Sequence, residues 1–155
     1  MTPQQAPGRS KQDYQTPPEL LRAIERDFHV EHWAMDLAAD QHNHICPTWL
    51  GPGSAVAIDA LKVDWVFPGD LWLNPPFADI EPWVKKCATT VRRGRIFLLV
   101  PASVGSNWYQ AYVHGRGHTV AISPRVSFTK DPYPKDIAIV VFGPVRGGFS
   151  TWRWK

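Results

Sequence analysis

The tetrapeptide Asn74-Pro75-Pro76-Phe77 has the residue types to bind a planar group that carries an NH2. Because proline lacks a backbone N–H, the Asn74 side-chain oxygen and the Pro75 carbonyl are acceptors with no competing donor at positions 75 and 76. Phe77 adds a flat aromatic face beside them. Two acceptors can take the two hydrogens of the amino group while its ring stacks on Phe77. The tetrapeptide therefore predicts recognition of an amino-bearing ring.

The segments around this tetrapeptide are expected to form a strand, a turn and a helix. Asp70–Leu73 is a short strand that ends at the two prolines, because consecutive prolines cannot continue a central sheet. Asp79 has a side chain that can cap the following helix, whose apolar stripe extends to Val91 and which ends at Gly94. Ile96–Pro101 is a continuous apolar run, which is typical of a strand buried on both faces of a sheet.

A helix and a strand precede this region. Thr16 and Glu19 have the spacing of a capping box, and Pro17 suits the first helical position, where its missing N–H costs nothing. Apolar residues then recur at helical spacing, which predicts a helix from Pro17 to about Phe28. Trp33–Ala39 is predicted to be a short buried strand that ends in a turn.

The remaining signals indicate one more helix and several strands. Ser106 is expected to cap a helix that runs to about His114. Strands predicted from apolar runs and turn signals are Ala55–Asp59, Thr119–Ile122, Ile137–Phe142 and Phe149–Trp154. The alternation of strands and helices predicts an α/β fold with a mainly parallel sheet and antiparallel C-terminal strands. Because ligands bind at the carboxyl ends of parallel strands, we expect Asp36, Asp59 and Asn74 on one edge.

Length and composition favour a single domain in a reducing compartment. The 155 residues suit one hydrophobic core, and a hydrophobic share of 44% is too high for a disordered chain. We expect residues 1–12 to be a disordered arm and residues 13–155 to be the domain. Cys46 and Cys87 make no secreted disulfide framework, and no apolar run reaches the roughly 18 residues of a membrane helix. A cytosolic protein is expected, and nothing indicates an obligate protein partner.

The net charge of +3 conceals two halves of opposite sign. Of the 17 basic and 14 acidic residues, residues 1–83 carry 5 and 12, whereas residues 84–155 carry 12 and 2. A basic half can neutralise phosphates and release counterions, and an acidic half can hold a cationic or hydroxyl-rich ligand. The simpler alternative is a charge distribution that serves solubility alone.

Several stretches, taken in order, resemble the phage-type DNA N6-adenine methyltransferase (Dam) family. Asn74–Phe77 looks like the [DNS]-P-P-[YFW] motif of amino-group DNA methyltransferases. The other stretches that resemble the family are Asp13–Pro18, Asp36–Asp40, Asp59–Leu61 with Trp65, and Pro82–Val84. The resemblance runs from about Asp13 to Phe142, which is nearly the whole chain.

This resemblance implies methyl transfer from S-adenosylmethionine to N6 of adenine in DNA by one Rossmann-like methyltransferase domain. It makes Asn74, Pro75, Pro76 and Phe77 the catalytic residues. Hydrogen bonds from the amino group to Asn74 Oδ1 and the Pro75 carbonyl would favour a pyramidal, more nucleophilic nitrogen, and Phe77 would stack on the flipped base. The family also implies a phage or restriction–modification setting, in a bacterium or an infected host cell.

The resemblance also implies where the methyl donor binds. The residues expected to bind S-adenosylmethionine are Thr16, Pro17, Asp36, Ala38, Asp40 and Asp59. Asp59 is assigned to the adenine amino group, the others lie near the methionine portion, and Asp40 is also a candidate ribose ligand. One feature departs from most methyltransferases: the turn at residues 36–40 has no glycine, although the backbone there must approach the ligand closely.

DNA contacts are expected at four basic side chains, namely Arg92, Arg93, Arg125 and Lys130. Two other functions stay open: methylation of N4 of cytosine, whose amino group poses the same chemical problem, and a non-catalytic nucleic-acid-binding module with the same fold. His42, His44 and Cys46 alternate but match no standard zinc spacing, so no metal site is expected. Trp152 and Trp154 are interpreted as part of an edge strand rather than as DNA contacts.

Overall fold

The computed structural model describes residues 15–131 and 133–155, so the predicted disordered arm at residues 1–12 lies outside the described residues. The helices are α1 (Pro18–Asp27) and α2 (Glu81–Thr89). The strands are β1 (Trp33–Asp36), β2 (Asp70–Leu73), β3 (Ile96–Pro101), β4 (His118–Ser123), β5 (Ile137–Phe142) and β6 (Gly148–Arg153). Short 3-10 turns cover Ala60–Lys62 and Phe77–Asp79, and a π-helical turn covers Tyr109–Val113.

Within the described residues the strands form one six-stranded sheet in the order β1-β2-β3-β5-β4-β6. The pairs β1–β2, β2–β3 and β4–β6 are parallel, and β5 is antiparallel to both β3 and β4. All strands except β5 therefore point the same way, which confirms the predicted mainly parallel α/β sheet. The prediction of antiparallel C-terminal strands is right for β5 and wrong for β6, because the turn after β5 passes the end of β4 and leaves β6 parallel to it.

Apolar side chains form a core on each face of this sheet. Successive side chains of a strand point to opposite faces, so β2 and β3 contribute to both cores. On one face Leu71 packs with Val84 of α2 and Val113 of the π-helical turn. On the other face Trp72 packs with Ile24 of α1. Every residue of β3 and β5 is buried, as expected for strands covered on both sides.

The predicted strand at residues 55–59 is wrong, and the strand predicted from Trp33 ends earlier than expected. Residues 55–59 form irregular loop, in which Val56 and Ile58 are 52% and 73% exposed. Apolar alternation alone does not make a strand when no sheet face covers its apolar side. β1 ends at Asp36 rather than Ala39. The chain turns after Asp36, which also forms an isolated parallel bridge with Trp49.

The predicted helix caps are also wrong. α1 begins at Pro18 without a side-chain cap, so Thr16 and Glu19 do not form a capping box. α2 follows Ile80 without a side-chain cap and ends at Thr89, which leaves Val91 fully exposed instead of in the apolar stripe. The hydroxyls and carboxylates expected to cap these helices instead make other contacts or face solvent.

Two further predictions concern the segments around the C-terminal strands. The helix expected from Ser106 is the π-helical turn, and the Ser106 hydroxyl donates to the Ser103 carbonyl at 2.6 Å rather than capping it. The interpretation of Trp152 and Trp154 as edge-strand residues is confirmed for Trp152, which lies in β6, and Trp154 follows directly. The Trp154 indole donates to the Pro124 carbonyl at 2.9 Å and is buried.

Two arginines join the amino ends of the parallel strands. Arg95 forms an ion pair with Asp70 at 2.7 Å and also donates to carbonyls in the turn before β1. Arg92 donates to the carbonyls of Gly69 and Arg95 at 2.8 and 2.9 Å. These bonds hold the starts of β1, β2 and β3 together. The starts of these strands form one edge of the sheet, and the carboxyl ends, where Asn74 lies, form the opposite edge.

Candidate functional site

The carboxyl ends of β1 and β2 bring together two of the three polar residues predicted to share an edge. β1 ends at Asp36, which lies opposite Trp72 in the parallel register, and Asn74 follows directly after β2. This is the edge at which open α/β sheets bind ligands. Asp59 is not at a strand end, because no strand forms there; it caps the 3-10 turn at residues 60–62 through a bond from Leu61 N–H at 3.0 Å.

Asn74 is held by a residue far away in the sequence. Its Nδ2 donates a hydrogen bond to Thr16 Oγ1 at 3.1 Å, and Thr16 is buried just before α1. Because Nδ2 faces Thr16, the amide oxygen Oδ1 is turned away from it. The structure thus joins a predicted cofactor residue directly to a predicted catalytic residue.

The two prolines lead the chain out of the sheet. Pro76 is extended, with φ −60° and ψ 121°, and a 3-10 turn begins at Phe77. A chain that leaves the sheet at this point cannot pair with a neighbouring strand, so the Pro75 carbonyl lies in a turn at the sheet edge. Pro75 and Pro76 therefore set the path of the backbone between Asn74 and Phe77, as the sequence predicts.

Phe77 belongs to a cluster of three aromatic rings. Its ring centroid lies 6.2 Å from that of Phe128 and 5.9 Å from that of Tyr133, at interplanar angles of 73° and 76°. Phe128 and Tyr133 are themselves 5.5 Å apart and perpendicular. Edge-to-face packing of this kind fixes the plane of a ring. Sequence reasoning missed Phe128 and Tyr133, since no local spacing connects them to Phe77.

The loop between β4 and β5 carries these two aromatic residues and two of the predicted DNA contacts. The Tyr133 N–H donates to the Val126 carbonyl at 3.0 Å, and Arg125 pairs with Asp136 at 2.9 Å. Arg125 is half exposed in this ion pair, and Lys130 is exposed farther along the loop. The loop therefore places two cations at the same edge as Asn74.

Asp36 is a buried carboxylate that holds the backbone beyond β1. Its Oδ1 accepts from Ala38 N–H at 3.3 Å, and its Oδ2 accepts from Ile45 N–H at 3.0 Å. Burial raises the pKa of Asp36 to about 7, against the lowering effect of these two hydrogen bonds. Since each oxygen already accepts a backbone donor, Asp36 acts here as the anchor of the turn at residues 36–40.

Gly51 supplies the close backbone approach that the glycine-free turn lacks. The Ala39 N–H donates to the Leu50 carbonyl at 3.0 Å, so the two segments lie side by side. A Cβ on Gly51 would lie 1.8 Å from the Ala39 carbonyl oxygen, and its φ of 137° disfavours other residues. In the sequence, the Gly51-Pro52-Gly53 triplet indicates a loop. That this loop lies against residue 39 follows only from the bond between the Ala39 N–H and the Leu50 carbonyl.

Asp40 organises the next part of the same loop. Its Oδ1 accepts from the backbone N–H groups of His42 and Asn43 at 2.7 and 2.9 Å. Ala38 is buried between Asp36 and this turn, with 5% of its surface exposed. Small side chains and carboxylates thus line the loop that follows β1.

The histidine-rich stretch makes local contacts. His44 stacks on Trp49 with ring centroids 4.1 Å apart, and its Nδ1 donates to the Cys46 carbonyl at 2.9 Å. The Cys46 thiol donates to the Thr48 carbonyl at 3.1 Å. In the described ranges, no three His, Cys, Asp or Glu side chains come close enough together to hold a metal ion.

Arg92 and Arg93, the other two predicted DNA contacts, lie before β3 at the edge opposite Asn74. The Arg92 guanidinium is occupied by backbone carbonyls, and burial lowers its pKa. Arg93 is exposed. The four predicted DNA contacts are therefore divided between two edges of the sheet.

Comparison with known proteins identifies the family of this chain. A search of curated proteins found no match. The family model described as DNA N-6-adenine-methyltransferase (Dam) matches residues 4–139, which is most of the chain. The match supports neither methylation of N4 of cytosine nor a non-catalytic nucleic-acid-binding function. No helix in the described residues has the length and apolarity to cross a membrane. The chain belongs to the DNA N-6-adenine-methyltransferase (Dam) family, and its activity is methylation of adenine N6 in DNA.

Proposed function

We propose that the edge at Asn74–Phe77 is where this methylation takes place. Asn74 Oδ1 and the Pro75 carbonyl accept the two hydrogens of the adenine amino group, Pro76 sets the turn, and Phe77 stacks on the flipped base. The observation that carries the proposal is the bond from Asn74 Nδ2 to Thr16, because it leaves the oxygen as the end of the amide that turns away from Thr16.

The chemical task of these residues is to make a poor nucleophile react. The lone pair of N6 is delocalised into the purine ring, so the nitrogen must become pyramidal as it attacks. Two fixed acceptors stabilise that form more than the planar one, which is preorganised electrostatic catalysis. No strong base is required beforehand, since the departing proton becomes acidic only as the N–C bond forms. Asn74 and Pro75 then hold that proton until water receives it.

S-adenosylmethionine is the methyl donor that the family implies, and it supplies an electrophilic methyl group on a sulfonium. The loop after β1 fits such a cation: its small side chains leave room, and Asp40 and Asp59 carry carboxylates. We assign Thr16, Pro17, Ala38 and Asp40 to the methionine and ribose portions, and Asp59 to the adenine portion. Asp36 acts through the loop that it anchors. The parallel strands with helices on both faces support a Rossmann-like fold for this domain.

Arg125 and Lys130 are the proposed DNA contacts nearest the target base. They lie on the loop between β4 and β5, which also packs against the Phe77 ring. The same loop would therefore bind phosphate and position the ring that stacks on the base. The half-exposed Arg125–Asp136 pair costs little to open, so the guanidinium can turn to a phosphate. A bacterial or phage-infected cytoplasm, with a phage or restriction–modification role, is the setting we infer; two free cysteines agree with a reducing compartment.

Replacement of Asn74 by alanine tests the assignment. We expect Asn74→Ala to lower methyl transfer by about a hundredfold or more, which is the usual effect of removing one preorganised hydrogen-bonding group. Binding of S-adenosylmethionine, measured by calorimetry, should stay within about threefold, roughly 0.7 kcal/mol. Nucleoside analysis after incubation with labelled donor and unmethylated DNA identifies the product as N6-methyladenine.

Asn107→Ala is the matched control, since Asn107 is exposed on the surface. It should behave as the unaltered protein in both measurements. If Asn74→Ala retained full activity, the assigned roles of Asn74–Phe77 would be wrong. If N4-methylcytosine appeared instead, the same residues would serve the other amino group.

A further inference from the structure

We propose that the edge of the sheet opposite Asn74 holds a second segment of DNA through a ridge formed by Arg93, Arg116 and Arg146. The ridge contacts phosphates of DNA outside the target site. The proposal rests on DNA as the substrate, and it does not depend on the roles of Asn74–Phe77.

Close backbone contacts make the three arginines one surface. The turn between β5 and β6 touches the turn before β3 at one end: a Cβ on Gly143 would lie 2.5 Å from the Gly94 carbonyl oxygen. At its other end, a Cβ on Gly147 would lie 2.9 Å from the Gly115 carbonyl carbon. Each arginine of the ridge is the immediate neighbour of one of these contact glycines. Arg93, Arg146 and Arg116 therefore follow one another along the amino ends of β3, β4 and β6.

The charges of this ridge are not balanced by ion pairs with other described residues. All three arginines are exposed, and in the part of the chain that the structure describes none of them forms an ion pair. Their neighbours Arg92 and Arg95, by contrast, bind carbonyls and Asp70. A row of like charges is unfavourable alone, and a polyanion relieves it by replacing condensed counterions with guanidinium groups.

The surface beside the ridge favours nucleic acid over a small anion. Phe149, 57% exposed, lies next to an open cavity lined by His114, Gly115, Gly147 and Gly148. A Cβ on Gly115 would have nothing within 4 Å, so a bulky backbone can approach there, and an exposed aromatic ring beside arginines is a usual combination in nucleic-acid-binding grooves. In this arrangement the arginines bind the phosphates, and the cavity and the Phe149 ring contact the sugars and bases.

The dimensions of the sheet separate this segment from the target site. The strands of six residues, at about 3.3 Å per residue, put the two edges roughly 20 Å apart. In the proposed arrangement the duplex axis at Asn74 runs across the strand direction, so a straight duplex lies along that edge and only DNA long enough to bend back brings a second segment to the ridge. The ridge should therefore increase affinity for long DNA and leave a short target duplex unaffected.

The test compares two triple variants with the same change in net charge. One is Arg93→Gln, Arg116→Gln, Arg146→Gln, and the other is Arg22→Gln, Arg26→Gln, Lys85→Gln, exposed cations of α1 and α2. Binding is measured with a duplex of about 15 base pairs, roughly one and a half helical turns, and with long linear DNA. Each measurement is repeated over a range of salt concentrations, and the thermal midpoint of each variant confirms folding.

We expect the ridge variant to lose about tenfold or more in affinity for long DNA, with a salt slope lower by about 2 to 3. Its affinity for the short duplex and its methylation of that duplex should stay within about twofold, and the control variant should change little in either assay. Equal losses in the two triple variants, or equal losses on short and long DNA, would overturn the proposal. Because the readout is binding, it is independent of Asn74→Ala, which should bind long DNA normally whether or not its methyl transfer fails.

Discussion

The bond between Asn74 Nδ2 and Thr16 Oγ1 places the NH2 end of the amide on the threonine hydroxyl and turns Oδ1 away from it. In the flipped orientation Asn74 would offer a donor to an amino group that itself needs acceptors. Thr16, next to the first helix, thus contacts the amide whose oxygen we propose as an acceptor at the end of β2. Thr16 is in this respect a positioning residue as well as a proposed cofactor neighbour.

Substitution of Thr16 separates these two roles. Thr16→Val removes the acceptor at nearly constant volume, and we expect kcat to fall about tenfold, which corresponds to one hydrogen bond of about 1.4 kcal/mol. Thr16→Ser keeps the hydroxyl and should restore most of the rate. Steady-state kinetics with separate titration of DNA and methyl donor provides the measurement. A raised KM for S-adenosylmethionine with unchanged kcat would contradict the positioning role.

Asp36 makes the stability of the fold depend on pH. Its pKa is raised by burial from 3.8 to about 7, so the folded protein keeps a proton that the unfolded chain has lost. The free energy of unfolding should therefore fall as pH rises from about 4 to about 7, by at most about 4 kcal/mol, and level off above that range. The stability is fully present below the ordinary pKa and is lost as pH passes the raised one.

Urea unfolding of the unaltered protein and of Asp36→Asn, repeated from acid to neutral pH, isolates this contribution from other titrating groups. Asparagine does not titrate, so the variant should gain stability relative to the unaltered protein as pH rises. The constant penalty of placing an amide NH2 near the Ala38 and Ile45 N–H donors cancels in this comparison. A difference between the two proteins that is the same at every pH would show that Asp36 has an ordinary pKa.

At the scale of elements, the loop after β1 depends on a glycine from a different segment. Gly51 has a φ of 137° and lies against the Ala39 carbonyl, so Gly51→Ala introduces both strain and a backbone collision. We expect a loss of at least about 2 kcal/mol in the free energy of unfolding and weaker binding of S-adenosylmethionine. Urea unfolding and calorimetry provide the two measurements.

Gly105→Ala serves as the control for this substitution. A Cβ there would have nothing within 4 Å, and the residue is exposed after β3. The control should unfold and bind the donor as the unaltered protein does. Equal stability of Gly51→Ala and Gly105→Ala would mean that the close approach to Ala39 does not support the loop.

The elements that the sequence predicts well are those whose signal is local. Ile96–Pro101, Asp70–Leu73 and Ile137–Phe142 are apolar runs with clear stops, and the structure places strands at those residues. The helix caps and the strand at residues 55–59 are wrong because their outcome depends on distant partners. Thr16, for instance, bonds to Asn74 rather than to its own helix.

The candidate site shows the same division. The turn at Asn74–Phe77 could be predicted from residue types alone, since two prolines after a strand restrict the backbone wherever they occur, and the catalytic role of these residues stays a prediction. Phe128, Tyr133 and Gly51 could not, because their contribution is a contact across the fold. The strand order, in which β5 separates β3 from β4, likewise follows from packing and leaves no periodic signal in the sequence.

For the whole molecule, the division of the sequence into an acidic and a basic half does not carry over to two halves of the surface. Arg125 and Lys130 follow β4 and lie at the Asn74 edge, whereas Arg93, Arg116 and Arg146 precede strands and lie at the opposite edge. Because every described strand except β5 points the same way, the segments before these strands lie at one edge and the segments that follow them begin at the other. The excess of positive charge in residues 84–155 is therefore divided between the two ends of the strands, and DNA can contact the protein at both ends.

The place of β5 in the sheet also bears on how the chain folds as it is synthesised. β3 pairs with β5 along its whole length, from Ile96 opposite Phe142 to Pro101 opposite Ile137. Until residue 142 has left the ribosome, β3 and β4 each have an open edge with unpaired backbone groups, and such edges recruit strands from other chains. Pairing between segments so far apart is slow as well. We therefore expect a nascent chain that stalls before β5 to aggregate more readily than the completed chain.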